Sequence, residues 1–198
     1  VPTLVQDLGD DFINNVDETK DKMMSFMDDN GYLTGDSDLI LSMGAQNFVW
    51  GGHGKDIVGL LGTNNNVWAG EGDDVGYIIG EGNTFSGNEG NDTAVFMGQQ
   101  HMFHGAQGDD FALSSGRNNN LFGGVGNDQL WAFGTRGFVT GGEGDDYIVA
   151  SGNQHEVNAE EGDDFVIAMG GNNSVHLGEG KDQSKLYGNV STLKAGED

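Results

Sequence analysis

Gly141–Asn158 reads GGEGDDYIVASGNQHEVN, and this stretch decides the fold. Its first six residues hold three glycines and two adjacent carboxylates, a combination that weakens any regular element and sets like charges side by side. The same plan returns every 18 residues without insertion or deletion. Rows of 18 begin at Leu33, Gly51, Ala69, Gly87, Gly105, Gly123, Gly141, Ala159 and Leu177, and the last ends at Lys194. Positions within a row are columns one to eighteen. Column six is Asp in every row: Asp38, Asp56, Asp74, Asp92, Asp110, Asp128, Asp146, Asp164 and Asp182. Column twelve is Gly in every row, and column four is Gly in all but the first, where Asp36 stands. A repeat this regular is itself the fold.

Column eight is mostly small or aliphatic, as in Ile40, Val58, Ile148 and Val166, and column seventeen is apolar from Val49 to Leu193. Each sits in the middle of a three-residue segment, nine residues from the other. Two short strands per turn follow, each sending its central side chain inward, joined by turns rich in Gly and Asn. Stacking sets equivalent strands side by side in parallel, about 4.8 Å apart, so nine turns form a flattened solenoid about 40 Å long. The expected fold is therefore all-β, a parallel β-roll or β-solenoid with 18 residues per turn and about nine turns. Its interior is expected to be a thin double ladder of columns eight and seventeen. So little apolar volume calls for a further stabiliser.

The 198 residues carry 32 acidic and 8 basic side chains, a formal net charge of −24, which argues strongly against nucleic acid and anionic membrane surfaces as partners. There is no Cys to staple the fold and no apolar run long enough for a membrane-spanning helix. The opening VPTLVQDLGDD lacks an initiator Met and the plan of a signal peptide, and the final AGED begins a tenth loop. The chain is accordingly expected to be a piece of a larger protein. Within residues 10–30, Phe12, Ile13, Val16, Met23, Met24 and Met27 recur at helical spacing, with Asp10 placed to cap the start and Gly31 past the end. The expected division is a helical cap or connector over 1–32 and the roll over 33–198, with a short N-terminal helix covering the unpaired first turn.

The six-residue loops read GGHGKD, AGEGDD, GNEGND, GAQGDD, GGVGND, GGEGDD, AEEGDD and LGEGKD. Stacked carboxylates repel one another, and a hard divalent cation between successive loops reverses that sign. Oxygen-only ligands on a flexible loop favour Ca²⁺, while the lack of Cys and of converging His argues against zinc. These loops resemble G-G-x-G-x-D-x-U-x, the calcium-binding nonapeptide of the RTX (repeats-in-toxin) family, over residues 33–198. The resemblance implies a β-roll whose loop carbonyls and sixth-position Asp hold Ca²⁺ between turns, with the nine column-six residues as side-chain ligands. One departure stands out. The second half of each row reads as in SSGRNNNLF, without the Asp, and column fifteen holds Asn47, Asn65, Asn83, His101, Asn119, Gly137, His155, Asn173 and Ser191. That edge is expected to be uncharged and ion-free, leaving one calcium row of up to about eight ions. Lys55 and Lys181 take column five in the end loops. The five His are expected to be ordinary surface residues.

Outward columns are unusually apolar, with Leu39, Leu41, Ile57, Tyr77, Trp131, Phe165 and Ile167, and Leu60, Ile78, Phe96, Met97 and Phe133 lie nearby. Two readings stay open: a roll wide enough to enclose some of these side chains, or a surface for a dimer or an intramolecular contact. No catalytic grouping stands apart from the repeat. HEVNA at His155 is the only approach to HExxH, and Ala159 replaces its second His, so no enzyme activity is expected. The alternation of GGxGxD and GxxN halves resembles the C-terminal repeats of MARTX (multifunctional autoprocessing RTX) toxins. That resemblance implies a secreted, extracellular module that folds on calcium outside the cell and supports effector delivery, with a host membrane or receptor left open as a further partner. An RTX adhesin segment, or the accessory roll of a secreted polysaccharide-modifying enzyme, is the alternative.

Overall fold

The structure, a computed structural model, describes residues 22–27, 31–35 and 37–196. One wall of the roll holds β1 (Lys22–Met27), β3 (Asp38–Ala45), β5 (Ile57–Thr63), β7 (Val75–Glu81), β9 (Thr93–Gln99), β11 (Phe111–Arg117), β13 (Gln129–Thr135) and β15 (Tyr147–Asn153). The other holds β2 (Gly31–Gly35), β4 (Phe48–His53), β6 (Asn66–Glu71), β8 (Thr84–Glu89), β10 (Met102–Gln107), β12 (Asn120–Val125), β14 (Phe138–Glu143) and β16 (Glu156–Glu161). The last strands, β17 (Phe165–Glu179) and β18 (Gln183–Lys194), continue round from one wall to the other. From β3 onward each strand pairs in parallel with the strand one turn later, residue i against residue i+18, as in Ile40 with Val58 and Leu121 with Val139. This is the expected β-solenoid of about nine turns.

The expected N-terminal helix is corrected. Lys22–Met27 is a strand, parallel to β3 with Met24 opposite Ile40. The spacing of Met23, Met24 and Met27 suits a helix, but a run this short fits a strand equally, and the open edge of β3 offers a row of backbone partners that a helix leaves unpaired. Residues 10–21 and 28–30 of the expected helix lie outside the described residues.

The interior is wider than a double ladder. On the first wall columns six, eight and ten all face inward, giving the alternation of Asp38, Ile40 and Ser42 buried against exposed Leu39, Leu41 and Met43. On the second wall columns fifteen, seventeen and one face inward, as at Asn65, Val67 and Ala69. Leu60, Ile78 and Phe96 therefore belong to the core, which settles the first of the two readings for those three residues. Volume is balanced within each turn. Gly76 leaves room for the Phe85 ring, which a Cβ at Gly76 would overlap, and Ala94 shares its turn with Phe96 and Phe103, whose rings meet edge to face. The invariant glycine of column twelve has a simple cause. At Gly116 the backbone takes φ 143°, and a Cβ there would collide with the carbonyl oxygen of Gly98 one turn below.

Candidate metal-binding edge

Each column-six Asp closes a loop that leaves one wall and enters the other. In the row opening at Gly141, β14 ends at Glu143, Gly142 and Gly144 take positive φ, and Asp146 turns its side chain into the interior before β15 starts. Asp56, Asp74, Asp92, Asp110, Asp128, Asp146 and Asp164 are all at most 2% exposed, and Asp38 is similar. Asp182, in the last loop, is half-buried.

Two ladders of side-chain acceptors run along this edge in opposite directions. In column six each backbone N–H donates to Oδ1 of the Asp one turn later: Asp92 to Asp110 at 2.7 Å, Asp110 to Asp128 at 2.8 Å, Asp128 to Asp146 at 2.7 Å. The series lengthens to 3.1 Å only where Asp164 meets the half-buried Asp182. In column five the direction reverses, with the N–H of Asn91 donating to Asp73, Asp109 to Asn91, Asn127 to Asp109 and Asp145 to Asn127. Column six thus aligns the buried rim and column five the exposed one. At the first complete loop Lys55 pairs with Asp73 and holds its carboxyl below the usual range.

One oxygen of each inner carboxylate is left over. Oδ2 of Asp56, Asp74, Asp92, Asp110, Asp128, Asp146 and Asp164 is buried and has no hydrogen-bond partner. Burial, opposed by the backbone N–H and reinforced by neighbouring carboxylates, pushes Asp74, Asp110 and Asp146 up to about 8. Burial pushes Asp56, Asp92, Asp128 and Asp164 up to about 6. The alternation is what repulsion along a line of like charges produces: every second member ionises first.

The residues fit a cation at this edge. A Cβ placed on Gly105 would meet Oδ2 of Asp110 and the carbonyl oxygen of Gly123. At Gly123 it would meet Asp128 and the Gly141 carbonyl, and at Gly141 it would meet Asp146 and the Ala159 carbonyl. An acidic oxygen from one turn and a main-chain oxygen from the next thus share the space above each of these glycines. Among the described residues no three His, Asp or Glu side chains converge on a point, so a cation here must take most of its ligands from the backbone. Oxygen donors of this kind suit Ca²⁺.

The opposite edge carries a neutral version of the same device, nine columns on. The N–H of Asn47 donates to Oδ1 of Asn65 at 2.8 Å, Asn65 to Asn83 at 2.9 Å, and His101 to Asn119 at 3.0 Å. The spare side-chain amide of Asn83 donates to the Gly62 carbonyl, so little is left unsatisfied. His101 and His155 are not surface residues, which corrects that expectation: they are 1% and 3% exposed and take their place in the ladder. Nδ1 of His101 accepts from the N–H of Asn83, and Nδ1 of His155 accepts from Gly137. Nε2 faces a carbonyl in each, that of Met97 or Gly134, which selects the neutral Nε2–H tautomer. Burial holds both imidazoles below the ordinary histidine value. The signal was in the sequence, since both sit in the column that otherwise prefers Asn.

A family model described as RTX calcium-binding nonapeptide repeat (4 copies) matches residues 104–134, 138–153 and 156–183. Over those residues the chain carries RTX calcium-binding repeats. RTX nonapeptide repeats bind Ca²⁺, in keeping with the buried carboxylate row. The chain is also 42% identical over 55 residues to a multifunctional-autoprocessing repeats-in-toxin protein of Vibrio vulnificus, and 43% identical over 57 residues to the protein of that name from Vibrio cholerae. These alignments cover 28% and 29% of this chain and 1% of each toxin. No solved structure matches the chain.

Proposed function

We propose that this chain is a calcium-dependent folding module of a large secreted toxin-type protein, with Asp38, Asp56, Asp74, Asp92, Asp110, Asp128, Asp146, Asp164 and Asp182 supplying the side-chain ligands of a single ion row. The observation that carries the reading is the line of buried Oδ2 atoms with no donor. Burying an ionised carboxylate oxygen without a partner is unfavourable, and seven in succession leave the folded roll in need of a counter-charge. Up to about eight ions between nine loops would bring 16 positive charges against the formal −24, leaving about −8. The Asn and His edge is neutral, leaves only Asn47 Oδ1 without a donor among its described residues, and takes no ion.

Affinities in the range of about 10⁻⁴–10⁻³ M for extracellular calcium modules place the transition between cytosol and medium. The chain would then leave the cell unfolded and become a stiff rod outside, supporting secretion and the presentation of effector domains to a host cell. The similarity to the Vibrio toxins supports this assignment. Far-UV circular dichroism at pH 8 tests it: the β signature should vanish on chelation and return cooperatively with Ca²⁺. A spectrum unchanged by excess chelator would refute it.

A further inference from the structure

We propose that the outer face of the odd-numbered strands is a self-association surface, on which a second copy of this chain seats face to face about a two-fold axis. Columns seven, nine and eleven form this face. Across nine rows they comprise 27 positions, and Lys185 is the only charged residue among them, in a chain with 40 charged side chains (32 acidic and 8 basic). Leu61, Tyr77, Ile79 and Met97 are each close to half exposed on it, and the face continues through Phe111, Trp131 and Phe165. The opposite outer face differs. There columns sixteen, eighteen and two mix Asn, Ser, Thr and Gly with Glu156, Glu160 and Lys194, and the apolar residues are fewer, chiefly Phe48, Trp50, Trp68, Met102, Phe122 and Phe138.

Strand composition separates the two walls in part, FVW in β4 being the exception on the second wall. IVGLL in β5, TAVFM in β9 and FVIAM in β17 are near-continuous apolar runs, the pattern of parallel strands covered on both faces. EVN in β16 and TFS in β8 alternate, the pattern of strands with one wet face. The roll's own interior covers only one face of the odd strands.

Size and shape point to a second copy as the cover. Nine rows at about 4.8 Å and five residues at about 3.3 Å give a footprint of roughly 600–700 Å². Two copies would bury roughly 1,200–1,400 Å², within the range of specific interfaces. The ridges of this face repeat at the strand spacing along its whole length, and an identical face matches that spacing by construction. A two-fold contact is also self-complementary, and it sends the acidic loops of both copies to the rim. This inference requires the folded roll but not the ion row, so it stands or falls separately from the calcium reading.

Sedimentation equilibrium of the calcium-loaded chain, from about 1 to 100 µM, tests the proposal. A dimer is expected, weakened at least about 100-fold in a Leu61→Lys/Ile79→Lys double variant and kept in Trp68→Lys on the opposite face. A wild type that stays monomeric overturns the proposal, whether its face is bare, covered by residues 1–21, or taken up by phosphatidylcholine vesicles. So does equal dimerisation of the two variants. If the double variant fails to give the β spectrum in calcium, Ser115→Cys decides instead. Ser115 is exposed at column eleven of the middle row of a chain without other cysteine. Oxidation should then link the copies, and its failure to do so overturns the proposal.

Discussion

Protons should substitute for calcium, and the structure fixes where on the pH scale they do so. In the metal-free roll the carboxyls of Asp74, Asp110 and Asp146 lie at about 8, and those of Asp56, Asp92, Asp128 and Asp164 at about 6, against 3.8 ordinarily. A folded-state value above the unfolded one adds stability that is complete below the unfolded value and is lost as pH rises through the folded one. Between pH 6 and 8 the folded chain therefore keeps about three protons that the unfolded chain has released. At about 1.4 kcal/mol per proton per pH unit that amounts to roughly 8 kcal/mol over the window, and halving it for solvent screening at the loop edge leaves about 4. That is a large part of the stability of an ordinary domain. Far-UV circular dichroism in metal-depleted buffer, stepped from pH 6 to 8.5, should show the β signature fading as pH rises. With saturating calcium the signature should persist across the window, because the ion replaces the lost protons. A metal-free chain equally folded at both ends, or better folded at pH 8.5, would refute the reasoning.

Further outcomes separate the parts of the edge. Asp110→Asn keeps the acceptor for the Asp92 N–H and removes the charge, so it should raise the pH of half-unfolding in metal-depleted buffer while weakening the calcium transition. Asp110→Ala also leaves that N–H without an acceptor and should be less stable than the Asn variant by about 1–3 kcal/mol in urea titrations, with or without calcium. Protonating His101 or His155 turns an accepting Nδ1 into a donor facing a backbone N–H, so their stabilising effect is present above the ordinary value of 6.5 and lost as pH falls below it. A His101→Asn/His155→Asn double variant, which restores the residue the column prefers, should resist acid better than wild type in calcium-loaded thermal melts. Gly116→Ala forces a Cβ onto the Gly98 carbonyl and should cost about 1–3 kcal/mol in the same calcium-loaded melts.

The repeat made most of this architecture legible. Column six and column twelve announced an 18-residue period, and that period fixed the walls, the parallel register and the acidic edge before any coordinates. The width of the core was only partly legible, because the third inward column of the first wall holds Leu60, Ile78 and Phe96 but also Ser42, Ser114 and three alanines, a broken signal that left two readings open. Inward Asp and Asn were equally hard to anticipate. They are buried because each offers an acceptor to a backbone N–H one turn away, a pairing that exists only once the turns are stacked. Lys22–Met27 misled for a simpler reason. Its methionines satisfy two periodicities, and the open edge of β3 chooses between them. The two buried histidines were hidden by their residue type and were visible only in their column.

Anomalous diffraction from crystals grown in calcium tests the central claim most directly. The account predicts calcium peaks between successive loops along the Asp56–Asp164 edge and none along the edge of Asn65, His101 and His155. An ordered roll with no anomalous density beside the aspartates would contradict it.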